Sequence, residues 1–599
     1  MKNKKILSIL CAAAVGLAGV TTFGCLSESE QDVDKNKTQI YVSCYDSGVD
    51  SGWLKDQAKE WNAGNSEYQI MIKDTIGAQT NNIIQEIEGE AMQTSPTIYY
   101  TAEPSFQKLI YADKLEDLSD ILNAEVDGAG NGTIKDKMGN TDDYYETVWK
   151  SVSAKFGEGC YMLPYCDNFG GLIFNYNDFL RYGYLNYAPV GAETAAALTA
   201  QGIVFEERGS GYYLTSYSGE DIYFNYKQGD RILTAGKDGV YGTYDDGQPT
   251  DLAGWTQMLN KIKNSNKRAF YWGGGVTGYV NMISEAMIAQ YSGMAEYNTY
   301  FNFDGSVTID DVKTTVTPAT GYKVYGMDGY RKAVDFVYDY LYNANYYHSD
   351  SVKMTYDQSV AQTQYILGYK QKTNEPMMLV DGEWFENEAR ATFATETVVN
   401  DGRGKGEQEY RFMLLPTLEG SYGLDGEGGG SCLSVLNAGA ILVRKTSDAK
   451  KLAAAKDFIK YTLTNENLRK FTVRTGITNG YRYQLTEDDL SRMTPFAKNV
   501  NRMYNDPDHI GLVRTPVLFA GCAMRFTTKE GFYKEPILHV NGINQYSGIV
   551  KAFAAGVTPQ QLAESAKIYY KNDGNPNGFS RVTWETLLFQ AREAGFYRD

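Results

Sequence analysis

The chain has 599 residues, 57 basic against 74 acidic, and a formal net charge of −17. That length exceeds one domain of about 100–200 residues. The acidic balance argues against nucleic acid, which needs a basic footprint, and against adhesion to an anionic bilayer through the protein surface.

The start reads as a targeting signal. Lys2, Lys4 and Lys5 precede an apolar run over residues 6–20 (ILSILCAAAVGLAGV), too short to span a bilayer comfortably and suited to a signal-peptide core. Gly24-Cys25 has the form of the end of a bacterial lipobox, with Thr22-Phe23 in place of the usual Leu-Ala/Ser. On that reading residues 1–24 are removed and Cys25 carries lipid; ordinary secretory cleavage is the plainer alternative. Loss of three lysines then deepens the charge from −17 to −20. Residues 25–38 are polar and acidic, as a flexible tether would be. The predicted location is the outer face of the cell membrane.

Residues 39–43 (QIYVS) predict a strand. A helix capped by Asp50 or Ser51 follows, with Leu54, Ala58 and Trp61 on one face. Strands at 68–72 and 97–100 flank a helix at 81–92, and another helix begins at 106–111. This alternation predicts a parallel sheet covered by helices. Residues 181–247, rich in Gly, Tyr and charge, predict a small antiparallel insertion. Helices follow at 252–263, 279–290 and 329–343, and buried strands at 375–380, 411–415 and 439–443. Residues 448–464 predict a strong helix with Leu452, Ala455, Phe458, Ile459 and Leu463 on one face. Thr558-Pro559-Gln560-Gln561 is a capping box opening a helix to Tyr570.

Beyond Cys25, five cysteines suit no metal pattern: Cys44, Cys160, Cys166, Cys432 and Cys522. Of these, Cys160 and Cys166 are close enough to pair. The three histidines, His348, His509 and His539, are too scattered for a zinc site. Asp238, Asp245 and Asp246 lie among glycines in GKDGVYGTYDDG. Such a loop offers the oxygen ligands calcium takes, although a Gly/Asp-rich turn is the simpler reading. No other cofactor is expected. The 48 Tyr, 25 Phe and 7 Trp provide flat apolar faces with polar tips, chemistry suited to sugar rings, though most must be ordinary core or surface.

Four segments, in order, resemble the extracellular solute-binding proteins of carbohydrate ABC importers, the class that includes maltodextrin-binding proteins. They are 161–179 (YMLPYCDNFGGLIFNYNDF), 378–389 (MLVDGEWFENEA), 413–443 (a LLPT strand, a Gly-rich loop, then GAILV), and the 449–471 helix leading to Arg474-Thr475-Gly476. The resemblance implies an α/β, two-lobed periplasmic-binding-protein-like fold (type II), hinge-linked, with a small β insertion. Lobe 1 is then 39–166 with 383–440, and lobe 2 is 167–382 with 441–599. Hinge crossings are expected at 165–168 and 380–384. The implied partners are a carbohydrate and ABC permease subunits, with the chain acting as a monomer.

In such folds ligand loops follow the strands. Asp46 and Ser47 follow the first strand, Glu103 the third, and Asp167 and Asn168 sit at the first hinge; helix caps or solvated loops are the alternative. In Asp381-Gly382-Glu383-Trp384 the resemblance implies a tryptophan stacked on sugar, with Glu383 beside it. Trp272 and Tyr279, in FYWGGGVTGYV, match another segment that carries stacking rings, and Tyr45 is a lesser candidate. The expected function is carbohydrate binding, of an oligosaccharide more than a monosaccharide, without catalysis. A glycoside hydrolase, needing paired carboxylates, and a peptide-binding or adhesion lipoprotein stay open.

Overall fold

The computed structural model describes residues 33–563 apart from 76–79, 90–91, 103–105, 107–108, 111, 143, 150–158, 190–199, 201–203, 209–210, 216–220, 224–230, 277, 354, 372, 436–437, 515–537, 541–543 and 547–548. Cys25 and Glu103 therefore lie outside the described residues. Among the described residues, no helix is long and apolar enough to cross a membrane.

Two sheets organise the chain. The first runs Tyr68–Thr75, Thr38–Tyr45, Ile98–Thr101, Gly439–Val443, Leu163–Cys166. Its first three strands are parallel, and Gly439–Val443 is antiparallel to both neighbours. The second runs Arg268–Tyr271, Pro376–Gly382, Phe169–Asn175, Ser431–Val435, Ile510–Arg514, with Tyr410–Met413 also paired to Phe169–Asn175. Every residue of Phe169–Asn175, Pro376–Gly382, Ser431–Val435 and Gly439–Val443 is buried.

The helices follow local signals. Gly52–Gly64 buries Trp53, Leu54, Ala58 and Trp61 against the first sheet, at the spacing of one helical face. Asp448 caps Ala449–Thr462 by accepting from the N–H groups of Lys450 and Lys451, a contribution of about 1 kcal/mol. Asn465–Thr475 ends at Gly476, whose φ of 71° closes the helix in the left-handed region. The Thr558 capping box forms as expected, with Thr558 N–H donating to Gln561 Oε1 at 2.8 Å and Gln561 N–H to Thr558 Oγ1 at 3.2 Å. Residues 564–570 of that helix lie outside the described residues.

The insertion is antiparallel, with Tyr187–Pro189 against Arg231–Leu233 and a separate three-stranded sheet of Val204–Arg208, Gly211–Thr215 and Asp221–Tyr223.

Among the described residues the chain passes between the sheets at three places. Leu163–Cys166 ends in the first sheet and Phe169–Asn175 begins in the second, so the 165–168 crossing is where the sequence puts it. Another link runs between Ser431–Val435 and Gly439–Val443. The last follows Asn465–Thr475 and leads to Pro495–Tyr504, which packs on Tyr410–Met413 and Ile510–Arg514.

This corrects two expectations. No crossing occurs at 380–384, because the chain leaves Pro376–Gly382 for helices that pack on the same sheet. Strands Tyr410–Met413 and Ser431–Val435, assigned from sequence to lobe 1, pair in the second sheet, while Gly439–Val443 pairs wholly in the first. Apolar runs of five residues carry no mark of which sheet they join.

Candidate functional site

The C-terminal ends of the parallel strands Thr38–Tyr45 and Ile98–Thr101 face the second sheet across a crevice, where α/β folds bind ligands. A cavity lies there, lined by Tyr45, Ser47, Gly48, Val49, Ala102, Asn168, Tyr279, Trp384 and Glu388. Both lobes contribute. Tyr45 ends the strand Thr38–Tyr45, Ser47, Gly48 and Val49 follow it, Ala102 follows Ile98–Thr101, Asn168 is in the first crossing, Tyr279 lies at the start of helix Gly278–Ser292, and Trp384 and Glu388 bracket helix Phe385–Glu388. The volume is about 50 Å³. A larger cavity of about 920 Å³, between Tyr291, Asp328, Asp335, Tyr338 and Thr558, is bounded by Ala563, where the described residues stop. Its wall carries five aspartates beside Arg331 and Lys332 and shares no residue with the crevice cavity.

The backbone is shaped to bring these groups together. Asn168 holds φ of 54°, a conformation Asn tolerates better than most residues, and so reverses the chain between sheets. Gly48, at φ 73°, lies so close to the opposite lobe that a Cβ there would stand 3.2 Å from Trp384 Cβ and 3.3 Å from Glu388 Oε1. Gly382 has no room for a Cβ, because the Trp384 indole lies over it. Trp384 is 5% exposed and meets Tyr279 edge-on, with ring centres 6.0 Å apart. Burial first, then the charges of Glu388 and Asp381, pushes the Tyr279 phenol well up, keeping it neutral and able to donate.

Behind the cavity lies a polar chain. Gln362 Nε2 donates to Glu388 Oε2 at 2.8 Å and to Asp381 Oδ2 at 2.9 Å. Asp381 also accepts from Gln358 Nε2 at 3.0 Å and from the Gly382 N–H at 2.8 Å. Burial, helped by the Glu388 charge, lifts the Asp381 carboxyl to about 7 against these three donors, and burial likewise raises Glu388.

The sequence-predicted residues divide into two groups. Ser47, Asn168, Tyr279 and Trp384 meet in the cavity, with Tyr45. Asp46 does not: it caps the turn into helix Gly52–Gly64, accepting from the Ser51 N–H at 2.8 Å. Burial works to raise its carboxyl, but the Ser51 hydrogen bonds and the charges of Arg390 and Lys55 outweigh this and hold it low.

Asp167 is fully enclosed in an ion pair with Arg514, at 2.7 Å to Nη2 and 3.2 Å to Nε, and accepts from the Tyr144 hydroxyl at 3.2 Å. Its oxygens are thus spent on tying the first crossing to the second sheet.

Glu383 points away from the cavity and accepts from Thr478 N–H and Oγ1, each at 2.9 Å, and from the Phe169 N–H at 3.3 Å. Burial lifts it to about 8 against these donors. Trp272 is wholly within the second-lobe core beside Tyr347, ring centres 5.7 Å apart, and lines no part of the cavity. Its tight glycine-rich turn packs the ring inward: Gly273 and Gly274 lie against the backbone at Asp357 and Lys353.

Asp245 accepts from the N–H groups of Lys237 and Asp238, Asp246 from Gly242, and Asp238 from Val240. That is the pattern of a turn, and among the described residues no group of three or more His, Cys, Asp or Glu is placed to hold a metal ion. Cys44, Cys160, Cys166 and Cys432 are all buried, and no disulfide joins Cys160 to Cys166.

Sequence reasoning missed Gly48, Val49, Ala102 and Glu388. Glu388 was findable, since it stands four residues after Trp384, one helical turn on and on the same face. Gln362 had no signal, because only folding brings helix Gln358–Ile366 beneath Pro376–Gly382.

This arrangement, two α/β sheets joined by crossings with a cavity between them, is the two-lobed periplasmic-binding-protein-like fold. Solved structures that share it include a chitin oligosaccharide binding protein (TM-score 0.50, 14% identity, 89% of this chain and 99% of that one). A second is a structure from work on xylan utilization by the thermophilic bacterium Caldanaerobius polysaccharolyticus (TM-score 0.50, 14% identity, 88% and 98%). No protein-family model matches the chain, and no curated protein matches it in sequence.

Proposed function

We propose that this chain is an extracytoplasmic carbohydrate-binding protein, anchored through a lipid on Cys25, that captures an oligosaccharide and delivers it as a monomer to the permease of an ABC importer. One observation carries the reading: the interlobe cavity joins three aromatic rings, Tyr45, Tyr279 and Trp384, to Ser47, Asn168 and the Glu388 carboxylate. Flat rings suit the C–H faces of a pyranose, and a few convergent polar groups suit its hydroxyl rim. Both named structures of the same fold concern glycan binding or use.

The cavity of about 50 Å³ is far below the roughly 300–1,000 Å³ of a typical ligand pocket. Sugar entry therefore requires the lobes to part about the links between the two sheets, a hinge motion. Binding without catalysis is favoured over glycoside hydrolysis by carboxylate placement. Glu388 and Asp381 share one amide donor on the same side of the cavity, whereas hydrolysis needs two carboxylates flanking a bond. A wall of three aromatic rings also suits sugar better than a peptide backbone.

Titration calorimetry of the mature chain against a glycan panel tests the reading. Saturable binding of an oligosaccharide without hydrolysis products is the expected result. Binding of peptides alone, or release of shortened glycans, would overturn it. Radiolabelled palmitate incorporation, lost in Cys25→Ala, tests the anchor.

A further inference from the structure

We propose that Glu388 is the charged hydroxyl acceptor of the cleft, and that Gln362, seated on the buried Asp381, is the residue that positions it. The inference rests on the carbohydrate reading above and adds a residue that sets both affinity and its pH dependence.

The geometry begins with a single nitrogen. An amide NH₂ carries two protons, and Gln362 spends one on Asp381 Oδ2 at 2.9 Å and the other on Glu388 Oε2 at 2.8 Å. The amide cannot turn without losing both bonds. Asp381 is itself immobile: it is 0% exposed, lies in strand Pro376–Gly382, and accepts from Gln358 and from the Gly382 N–H as well. Glu388 is thereby held through Oε2, while Oε1 faces the Gly48 turn of the other lobe. Among the described residues it is the one carboxylate in the cavity lining, one helical turn from Trp384. A sugar stacked on Trp384 would present its rim hydroxyls toward Oε1. A hydrogen bond from a neutral hydroxyl to a carboxylate is about twice as strong as one to a neutral acceptor.

The same arrangement makes capture depend on protons. Two carboxylates share one donor in a dry site, and like charges so placed resist ionising together. The other titratable groups in the described lining are the Tyr279 phenol, from helix Gly278–Ser292, which burial keeps neutral, and Tyr45, the last residue of the first strand; neither ring brings a positive charge. Arg390, on the following helix, acts on Asp46. Ligand hydroxyls favour the ionised Glu388, so affinity rises with pH as the two carboxyls ionise and flattens once both are charged.

The experiment uses the full mature chain with chitotriose, xylotriose and maltotriose as probes, by calorimetry from pH 5 to 9, together with the ligand-free tryptophan fluorescence over the same range. Wild type should bind a probe with affinity rising through the neutral range and show a fluorescence transition there from Trp384. Glu388→Gln should weaken binding roughly tenfold and flatten the affinity profile. Gln362→Ala should weaken binding and shift the pH midpoint while leaving the protein folded. It serves as the second variant should Glu388→Gln fail to fold. If Glu388→Gln and Gln362→Ala bind as tightly as wild type with an unchanged pH profile, the inference is overturned and the carbohydrate reading stands. If wild type binds no glycan, both fall together.

Discussion

The sequence offers Asp167 as a ligand residue, whereas the structure makes it a strut, and the two readings predict opposite outcomes for one substitution. Asp167 and Arg514 are 0% and 7% exposed, paired through two nitrogens, with the guanidinium lying over the Tyr144 ring at 4.4 Å and Nη2 also donating to Asn140 at 3.1 Å. Asp167→Asn leaves the Arg514 charge enclosed with only neutral acceptors. Removing one partner of a buried pair costs about 3–5 kcal/mol, because the survivor stays desolvated. Arg514→Met should cost a similar amount for the converse reason. The double variant strands no charge, so it should recover at least about 2 kcal/mol of the summed loss. Thermal and urea unfolding followed by two probes is the suitable assay, since a two-lobed chain need not unfold in one step. Glycan affinity is measured on the folded fraction. An Asp167→Asn protein as stable as wild type that no longer binds glycan would refute the reasoning and restore Asp167 to the ligand site.

Other substitutions separate cavity from core. Trp384→Ala should weaken glycan binding by about 1–3 kcal/mol, with Trp384→Phe intermediate, as calorimetry would show. Trp272→Ala should leave affinity intact but lower stability by about 3–5 kcal/mol, because the fully enclosed ring leaves a cavity in the core. Gly382→Ala should displace the Trp384 indole and cost affinity without touching a ligand group, visible as a changed tryptophan emission spectrum. Glu383 titrates near 8 in the fold against its ordinary 4.5. The native state thus holds a proton that the unfolded chain releases earlier. Its contribution to stability is full below about pH 4.5 and is lost as pH rises toward 8. Wild type should therefore lose more stability than Glu383→Gln between pH 5 and 9; parallel losses in both proteins would sink the assignment.

Local pattern was enough to establish much of this protein. The 3.6-residue spacing of Leu54, Ala58 and Trp61, the Thr558 capping box and the apolar run at Gly439–Val443 each specify an element by chemistry within a few residues. The ordered motifs around Leu163-Pro164 and Gly382-Glu383-Trp384 pointed to two lobes, and Ser47, Asn168, Tyr279 and Trp384 do converge in the cleft.

What needed the tertiary structure was every choice between neighbours far apart in sequence. Asp167 looks like any polar hinge residue until Arg514, 347 positions later, is brought against it. Trp272 and Trp384 both follow strands of the same sheet and sit near glycines, yet one ring turns into the core and the other toward the crevice. Gln362 acquires its role only because helix Gln358–Ile366 packs beneath strand Pro376–Gly382. Periodicity records which face of an element is buried, but not what buries it, and the partners of a carboxylate or a ring are a property of the packed chain.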